Sequence, residues 1–324
     1  MSIVIEKPGI LTTIQDLGRN GFRRFGINPS GAMDHTAARL INVLVGNDDF
    51  EAVLEMHFPA PRISFEKNAV IVLGGGNFDA KYDGGKALPT WTPFFVRKGT
   101  SISFDERVAG NRVYVAVMGG FKIKKWLGSS STNLTAHIGG YDGRKLEGSD
   151  TVDYNRALRK PKYPTPIHVS PSLIPLYSRF PTVRITEGPE YHQLSKEGRE
   201  RLLHGDFVVS RTSDRMGFRM SGESISRTVQ TEILSSAVSF GTAQLLPDGQ
   251  LIVLMADHQT TGGYPRIAHV ISRDLPLLSQ LGPGDKVAFH LVDQRSAEDL
   301  MVQFERELSF FRVGCRFHIN SWTT

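Results

Sequence analysis

The sequence predicts a mainly β protein built from two β modules with a few short helices. Short apolar runs recur along both halves of the chain, and Gly, Pro, Asp and Asn separate them. This spacing is typical of a barrel or a sandwich and not of a parallel α/β sheet. With 324 residues, the chain also exceeds the size that a single core usually serves, so two domains are expected.

The N-terminal module is expected to span residues 1–155 and to hold one clear helix near residues 31–46. Ser30 is a plausible N-cap, Asp34 suits the positive end of the helix dipole, and Gly46 suits the position after the helix. An anion could bind at that N-terminus, although capping alone explains the same residues. The apolar face of the helix is formed by Met33, Ala37, Leu40, Ile41 and Leu44.

Strands are predicted in both modules. A Pro-rich segment, residues 156–181, contains six prolines and is therefore expected to be the linker between them. The C-terminal module is expected to span residues 182–294, and residues 295–324 are expected to form a terminal helix, ending near Phe311, and a tail. The predicted strands are 70–73, 94–96, 101–104, 113–117, 183–186, 207–210, 251–255 and 287–291.

Composition excludes several classes of function. The formal net charge of +5 is spread along the chain, so no nucleic-acid surface is predicted. No apolar stretch approaches ~20 residues and no secretory signal is visible, which favours a cytoplasmic protein without a membrane span. A single cysteine excludes an intrachain disulfide and a thiolate cluster, and the histidines lack metal-ligand spacing, so no metal is predicted.

The most informative stretch is the polar loop from Asp257 to Arg266, which follows the apolar run 251–255. A buried strand that opens into polar residues can present chemistry at the rim of a rigid scaffold. Gly262 and Gly263 are expected to allow positive φ and a close approach to a ligand, and Pro265 stiffens the exit. A solvated β-turn is the alternative, because the same residue types also make turns.

Two further polar loops carry candidate binding residues. The first, residues 13–21, places Gln15, Asp16 and Arg19 between glycines, and an Asx-type turn is its alternative interpretation. The second contains Asp214 and Arg215, which would form either a salt-bridged turn or a carboxylate clamp.

Glycine-rich and serine-rich segments give no support for nucleotide binding or for a serine hydrolase. Residues 73–78 fail the dinucleotide fingerprint, and residues 83–86 lack the features of a phosphate-binding loop. The hydroxyl-rich run 127–132 lacks the flanking glycines of a nucleophile elbow.

Taken together, the ordered loops resemble the biotin-dependent carboxyltransferase-like family. Its members include the C-type subunit of 5-oxoprolinase, half of the carboxyltransferase domain of urea carboxylase, antagonists of a sporulation-kinase inhibitor, and the second subunit of allophanate hydrolase. The resemblance covers roughly residues 3–292 and implies cyclophilin-like β-barrel modules and work beside sibling subunits. It is carried by Thr13–Arg19, Ser30–Asp34 with Leu44–Asn47, Leu127–Thr132, Ser213–Gly217, and Asp257–Pro265 with Gly282–Asp285.

The resemblance implies a non-nucleotide-binding subunit of an ATP-dependent 5-oxoprolinase, which converts 5-oxo-L-proline to L-glutamate. ATP would be bound by another subunit, and the partners would be A-like and B-like sibling subunits. One alternative is carboxyl transfer from carboxybiotin on a separate carrier to urea or a related amide. Another is a non-catalytic regulator that binds a kinase-inhibitor partner.

For the leading hypothesis, Asp257 is predicted as the acceptor or base, with Thr260, Thr261 and Tyr264 as donors to a substrate oxygen. His258 stands where the family usually has a basic residue, and its imidazole can titrate near neutral pH. The predicted substrate-binding residues are Gln15, Asp16, Arg19, Ser30, Asp34, Asp214, Arg215, Gly262 and Gly263.

Overall fold

The computed structural model describes residues 1–155, 167–229 and 233–323, and it divides the chain into two compact units. The first unit comprises Met1–Arg19, Asp34–Pro175 and Glu305–Thr324, and the second comprises Asn20–Met33 and Leu176–Phe304. Residues 20–33 thus group with the second unit, although they fall within the predicted first module. Residues 156–166 of the predicted linker lie outside the described residues. The mainly β class is confirmed.

The first unit contains ten strands in two five-stranded sheets. The strands are β1 (Ser2–Lys7), β2 (Thr12–Gln15), β3 (Val53–His57), β4 (Arg62–Phe65), β5 (Ala69–Asn77), β6 (Ala80–Tyr82), β7 (Phe94–Val96), β8 (Ser101–Phe104), β9 (Ala109–Val117) and β10 (Thr151–Asp153). One sheet has the order β10-β1-β4-β8-β6 and the other β2-β3-β9-β5-β7. The side chains of their inner faces form one apolar core that includes Ile3, Ile63 and Ile71.

Helix α1 (His35–Leu44) packs beside this core and begins later than predicted. Asp34 is the N-cap, because its Oδ1 accepts the backbone N–H of Ala37 at 2.8 Å. The prediction that Ser30 caps the helix is wrong, since Ser30 (φ 55°) and Gly31 (φ 107°) take left-handed conformations before the helix starts. Gly46 follows the helix with φ 70°, as predicted.

The glycines of residues 73–78 have a packing role and no phosphate-binding geometry. Gly74 and Gly76 lie inside strand β5 and not in a loop. A Cβ on Gly74 would come within 2.4 Å of Ile41 on α1, and one on Gly76 within 2.6 Å of the Ala109 carbonyl oxygen. The missing side chains therefore allow the helix and strand β9 to approach closely.

The second unit contains a closed seven-stranded barrel. The strands of this unit are β11 (Thr182–Glu187), β12 (Phe207–Val209), β13 (Gly217–Ser221), β14 (Ser236–Ala237), β15 (Thr242–Leu245), β16 (Leu251–Leu254), β17 (Thr261–Gly262), β18 (Arg266–Val270) and β19 (Lys286–Leu291). The barrel order is β11-β18-β15-β16-β13-β12-β19, and parallel pairing of β11 with β19 closes it. Strands β14 and β17 pair separately.

Successive side chains along each barrel strand point alternately into the core and to the outer face of the barrel. Phe218, Leu251 and Val253 point into the apolar core, whereas Arg219 and Ile252 lie between them on the outer face. All eight predicted strands correspond to observed strands, with ends that differ by at most a few residues.

The remaining helices are α2 (Lys196–His204), α3 (Leu275–Ser279) and α4 (Gln294–Thr323). The terminal helix continues beyond the predicted end near residue 311. Within the first unit it is held by ion pairs, because Arg39 contacts Glu305 at 2.5 Å and Arg312 contacts Asp49 at 2.6 Å. No helix in the described part of the chain is long and apolar enough to cross a membrane.

Candidate functional site

A buried ion pair lies where core strand β16 opens into the polar loop. Asp257 is 4% exposed and Arg215 is 6% exposed. The Nε atom of Arg215 lies 2.8 Å from Oδ2 of Asp257, and Nη2 lies 3.2 Å from Oδ1. The backbone N–H of Asp257 also donates to the Arg215 carbonyl at 2.8 Å. The two predicted loops, 213–217 and 257–264, are thus joined by a bidentate contact.

Residues 28–31 hold both members of this pair. The side-chain amide of Asn28 donates to the Asp257 carbonyl at 3.0 Å, and Arg215 Nη2 donates to the Gly31 carbonyl at 2.5 Å. Ser30, a predicted substrate contact, is buried within the same segment. Asn28 was not among the predicted residues, because its partner is 229 residues away and no local pattern marked it.

The Arg215–Asp257 ion pair bears on the roles that were predicted for both side chains. Arg215 was predicted to clamp a substrate carboxylate, but its guanidinium binds the chain's own Asp257. Both carboxylate oxygens of Asp257 accept hydrogen bonds from that guanidinium. The base role of Asp257 stays a prediction, and the observed contacts favour a role in holding the loop.

His258 follows directly and is 1% exposed. Its Nδ1 lies 2.5 Å from the carbonyl oxygen of Gln259. Burial lowers the pKa of His258 below its ordinary value of 6.5, and the nearby Arg23 lowers it further, while the Gln259 contact and Asp257 oppose the shift. The titration of this imidazole, predicted near neutral pH, is therefore displaced toward lower pH. The ring is neutral at pH 7 because the charged form is poorly solvated.

The rest of the loop forms strand β17, in which Thr261 pairs with Ala237 and Gly262 with Ser236. Thr260 is half-buried, whereas Thr261, Gly263 and Tyr264 are exposed. The expected positive φ at Gly262 and Gly263 is wrong, because neither residue has one. Gly262 is required for another reason: a Cβ there would lie 2.6 Å from Nε2 of Gln244.

Gln244 sets the position of this loop. It is fully buried, and its Nε2 donates to the Tyr264 carbonyl at 3.2 Å.

We expect Gly262→Ala to displace Gln244, break the Gln244–Tyr264 hydrogen bond and lower the free energy of unfolding by roughly 1–3 kcal/mol. Gly263→Ala is the matched control, since a Cβ there would have its nearest contact at an ordinary 3.4 Å. Urea unfolding of both variants checks the prediction, and equal stabilities would contradict it.

A cleft of about 510 Å³ lies on the outer face of the barrel. A cross-strand row formed by Arg219, Ile252 and Gln244 contributes to its lining. Asp214 and Tyr264, two of the predicted site residues, also line it. Asp214 additionally holds its own turn, because Oδ1 accepts the backbone N–H groups of Met216 and Gly217 at 2.8 and 3.2 Å.

The remaining predicted residues, Gln15, Asp16, Arg19 and Asp34, belong to the first unit. Asp16 is 4% exposed and its carboxylate accepts four hydrogen bonds. The donors are Gly18 N–H at 2.8 Å, Ser129 Oγ at 2.7 Å, Ser130 N–H at 2.6 Å and Ser131 Oγ at 2.5 Å. The Gly18 contact is an Asx turn, which was the alternative interpretation of this loop.

The neighbours of Asp16 also bind within the first unit. Arg19 donates from Nη2 to the Ser131 carbonyl and lies 5.2 Å over the ring of Trp126. Gln15 donates to Thr13 Oγ1 at 3.0 Å and to the Thr132 carbonyl at 3.2 Å. The hydroxyl-rich run 127–132 is therefore the structural partner of the loop 13–19.

Asp34 is linked to a buried hydrogen-bond network with Tyr114 and Glu55, neither of which was a predicted residue. Its backbone N–H donates to the Tyr114 hydroxyl at 2.9 Å, and that hydroxyl donates to Oε2 of Glu55 at 2.8 Å. Burial raises the pKa of Tyr114 well above its ordinary value, and the nearby Glu55 carboxylate adds to the shift. Nothing in the local sequence signalled this contact, because the two strand residues are 59 positions apart.

Two histidines of the second unit, the buried His258 and the half-buried His269, predict how stability depends on pH. Burial lowers the pKa of His258 and of His269 below 6.5. The unfolded chain therefore binds more protons near that pH, so the stabilising contribution is present above pH 6.5 and is lost as pH falls through the folded pKa values. We expect the urea midpoint of the wild type to fall between pH 7 and pH 5, and the fall to be smaller in His269→Gln. If the urea midpoint of His269→Gln falls as much as that of the wild type between pH 7 and pH 5, His269 does not contribute to the pH dependence.

No group of three His, Cys, Asp or Glu side chains within residues 1–155, 167–229 and 233–323 is placed to hold a metal ion.

Comparison with known proteins agrees with this architecture. Residues 25–291 match the sequence profile of the family described as carboxyltransferase domain, subdomain A and B. The chain is 33% identical over 314 residues to the C-type subunit of 5-oxoprolinase from Escherichia coli K12, covering 97% of this chain and 98% of that protein. For the protein of the same name in Haemophilus influenzae, identity is 35% over 290 residues, covering 89% of this chain and 90% of that protein.

The chain is also similar to parts of much longer enzymes. It is 30% identical over 320 residues to the urea amidolyase of Saccharomyces cerevisiae, covering 92% of this chain and 17% of that protein. The crystal structure of the Kluyveromyces lactis urea amidolyase superposes with a TM-score of 0.88 at 26% identity, covering 96% of this chain and 20% of that one.

These similarities and the closed barrel define a carboxyltransferase-type β protein. The chain belongs to the carboxyltransferase-domain family, subdomains A and B.

Proposed function

We propose that this chain is the non-nucleotide-binding subunit of an ATP-dependent 5-oxoprolinase, in which 5-oxo-L-proline is opened to L-glutamate. The observation that carries the proposal is the extent of the match to the C-type 5-oxoprolinase protein of Escherichia coli, of which 98% is spanned. By contrast, the chain spans only 17% of the yeast urea amidolyase, so it corresponds there to one segment of a larger enzyme.

The reaction has an ATP-dependent activation step, which we assign to another subunit. A five-membered lactam is a stable amide, and its carbonyl must be made electrophilic before water can attack it. Phosphorylation by ATP supplies that activation, and the nucleotide is assigned to another subunit, because the glycine-rich segments of this chain have other roles. Gly74 and Gly76 lie within a strand, and Gly84 and Gly85 form an open turn with positive φ.

This chain would contribute a rigid surface that positions the lactam. The barrel fixes the loop 257–264 through the Arg215–Asp257 pair and through the Gln244–Tyr264 bond. Tyr264 and Thr212 place hydroxyl groups along the 510 Å³ cleft, and Arg219 adds a cation. Hydroxyl donors can bind a lactam oxygen, and a guanidinium can bind the carboxylate that 5-oxoproline carries.

The test is reconstitution with the sibling subunits. We expect glutamate formation from 5-oxoproline to require ATP, the sibling subunits and this chain, and to fall to background when this chain is omitted. The ATP-binding subunit should show the same thermal midpoint in both preparations, which controls for its folding. Full activity without this chain would contradict the proposal.

Carboxyl transfer from carboxybiotin to urea or a related amide is the second candidate. The TM-score of 0.88 to a urea amidolyase favours it. When bound, biotin would supply the carboxyl group, and the hydroxyls of Tyr264 and Thr212 could donate to its ureido oxygen. A biotinylated carrier that transfers labelled carboxylate to urea only in the presence of this chain would select this candidate over the first.

A further inference from the structure

The cleft on the outer face of the barrel is lined by one cation, Arg219, and by two carboxylates, Asp214 and Asp248. The guanidinium of Arg219 is exposed and forms no ion pair with any of the residues that the structure describes. Asp248 belongs to the turn between β15 and β16, where its Oδ1 accepts the backbone N–H of Gln250 at 3.0 Å. The cleft therefore offers a cation and acceptor oxygens to a ligand.

The two oxygens of Asp214 differ in what they contact. Oδ1 accepts the backbone N–H groups of Met216 and Gly217, and these two bonds fix the orientation of the carboxylate. Oδ2 accepts no hydrogen bond from the described part of the chain, and the half-buried side chain lines the cleft. Because an ionised carboxylate can only accept hydrogen bonds, Oδ2 is an acceptor of fixed position for a ligand N–H group.

Asp214 and Arg219 are held together in one cross-linked turn. Arg219 lies on strand β13, and Asp214 lies in the loop that precedes this strand. Oγ of Ser213 accepts the backbone N–H of Arg219 at 3.0 Å and donates to the Arg219 carbonyl at 3.3 Å. The backbone N–H of Asp214 donates to the Gly217 carbonyl at 3.2 Å. The acceptor and the cation thus belong to the same rigid element.

The lactam of the proposed reaction carries the matching groups on neighbouring atoms. The ring nitrogen of 5-oxo-L-proline bears one N–H, which is a donor, and the adjacent carbon bears the carboxylate. A site that recognises both groups needs an acceptor and a cation on one side of the ligand. Arginine binds carboxylates well because its planar fork matches the two carboxylate oxygens.

We propose that Oδ2 of Asp214 accepts the lactam N–H while the guanidinium of Arg219 binds the adjacent carboxylate. The inference rests on the proposed function and deepens it, because it makes Asp214 a specificity-determining residue. The cleft then selects lactams that have an unsubstituted N–H and a carboxylate on the next carbon. A lactone of the same shape is rejected, since its ring oxygen would face the Asp214 carboxylate with no proton between them.

The first arm of the test measures binding and not turnover. The full chain is titrated calorimetrically with 5-oxo-L-proline and with its lactone isostere, in which a ring oxygen replaces the N–H. We expect the lactam to bind about 10–100-fold more tightly than the lactone, because one charge-assisted hydrogen bond is lost in the lactone. Equal Kd values, or a lactam that does not bind, would overturn the proposal.

The second arm uses Asp214→Asn. The Oδ1 atom of asparagine can still accept the N–H groups of Met216 and Gly217, but an NH₂ donor replaces Oδ2. We expect the preference for the lactam over the lactone to disappear, while the urea midpoint stays at the wild-type value because the turn is retained. A variant that keeps the wild-type preference would show that Asp214 does not read the N–H.

Two further variants separate the roles of the charged residues. Arg219→Gln should weaken the binding of both ligands by about tenfold or more and leave their ratio unchanged, because both ligands carry the carboxylate. Asp248→Asn tests the other carboxylate of the cleft and should keep the wild-type preference. If the preference is lost in Asp248→Asn and kept in Asp214→Asn, the acceptor is Asp248 and the proposal is wrong.

Binding and turnover fail separately. A reconstituted complex that forms no glutamate, although its chain prefers the lactam through Asp214, would contradict the proposed function alone. A complex that forms glutamate, although its chain does not distinguish the lactam from the lactone, would contradict the role of Asp214 alone.

Discussion

Asp257→Ala is expected to lower the free energy of unfolding by about 3–5 kcal/mol. The substitution takes from the guanidinium of Arg215, which is 6% exposed, the carboxylate that it contacts at 2.8 Å. Removing one member of a buried pair is costly because the remaining charge loses a counter-ion and stays shielded from water. A fall of this size would lower activity through loss of structure, so activity must be compared at a denaturant concentration and temperature where both proteins are folded.

Two controls isolate the cause. The double variant Asp257→Ala, Arg215→Met removes both charges of the pair, so its stability should lie above that of Asp257→Ala. Asp206→Ala removes one member of the exposed pair with Lys286, whose side chains are half-exposed, and should have a far smaller effect. If Asp257→Ala leaves the urea midpoint unchanged but abolishes turnover, then Asp257 acts on the substrate and the structural assignment is wrong.

Asp16→Ala is expected to lower the free energy of unfolding by on the order of 3 kcal/mol. The carboxylate accepts hydrogen bonds from Gly18 and from Ser129, Ser130 and Ser131. Without it, buried N–H and O–H donors lose their acceptor, and each unsatisfied buried group costs free energy. Differential scanning calorimetry and urea unfolding both measure the loss.

Two variants of the first unit serve as controls for Asp16→Ala. Ser129→Ala removes one donor to Asp16 and the acceptor of the Ser131 N–H but leaves the carboxylate in place, so it should cost about 1–2 kcal/mol. Asp48→Ala removes an exposed carboxylate that accepts a single N–H, from Phe50, and should cost less than Asp16→Ala. Equal effects of Asp16→Ala and Asp48→Ala would mean that the serine loop does not depend on Asp16.

Local pattern was sufficient for the fold class and for the eight predicted strands, whereas the described residues contain nineteen strands. Alternating and continuous apolar runs, such as 70–73 and 251–255, are short-range signals, and the structure places strands β5 and β16 there. The C-terminal end of α1 was also predictable, because a glycine after an amphipathic run is a local feature. The N-terminal end was not, since Ser30 and Asp34 are both good caps in isolation.

The candidate site was predicted in its residues but not in their contacts. Asp257 and Arg215 were both selected from polar loops, yet their direct pairing follows from the antiparallel pairing of β13 with β16, which brings positions 42 apart in sequence together. Gly262 was selected for its backbone freedom, whereas the structure requires it for space beside Gln244.

By itself, the sequence determined the fold class, eight of the strands, and which loops carry the charged, hydroxyl and imidazole groups. These features depend on neighbours within a few residues. Only the tertiary structure decided which of those groups are already bound within the protein and which remain available for chemistry. A carboxylate such as Asp16 or Asp257 has the same local appearance in either case, and its role depends on donors from distant segments that reach it only when the chain is folded.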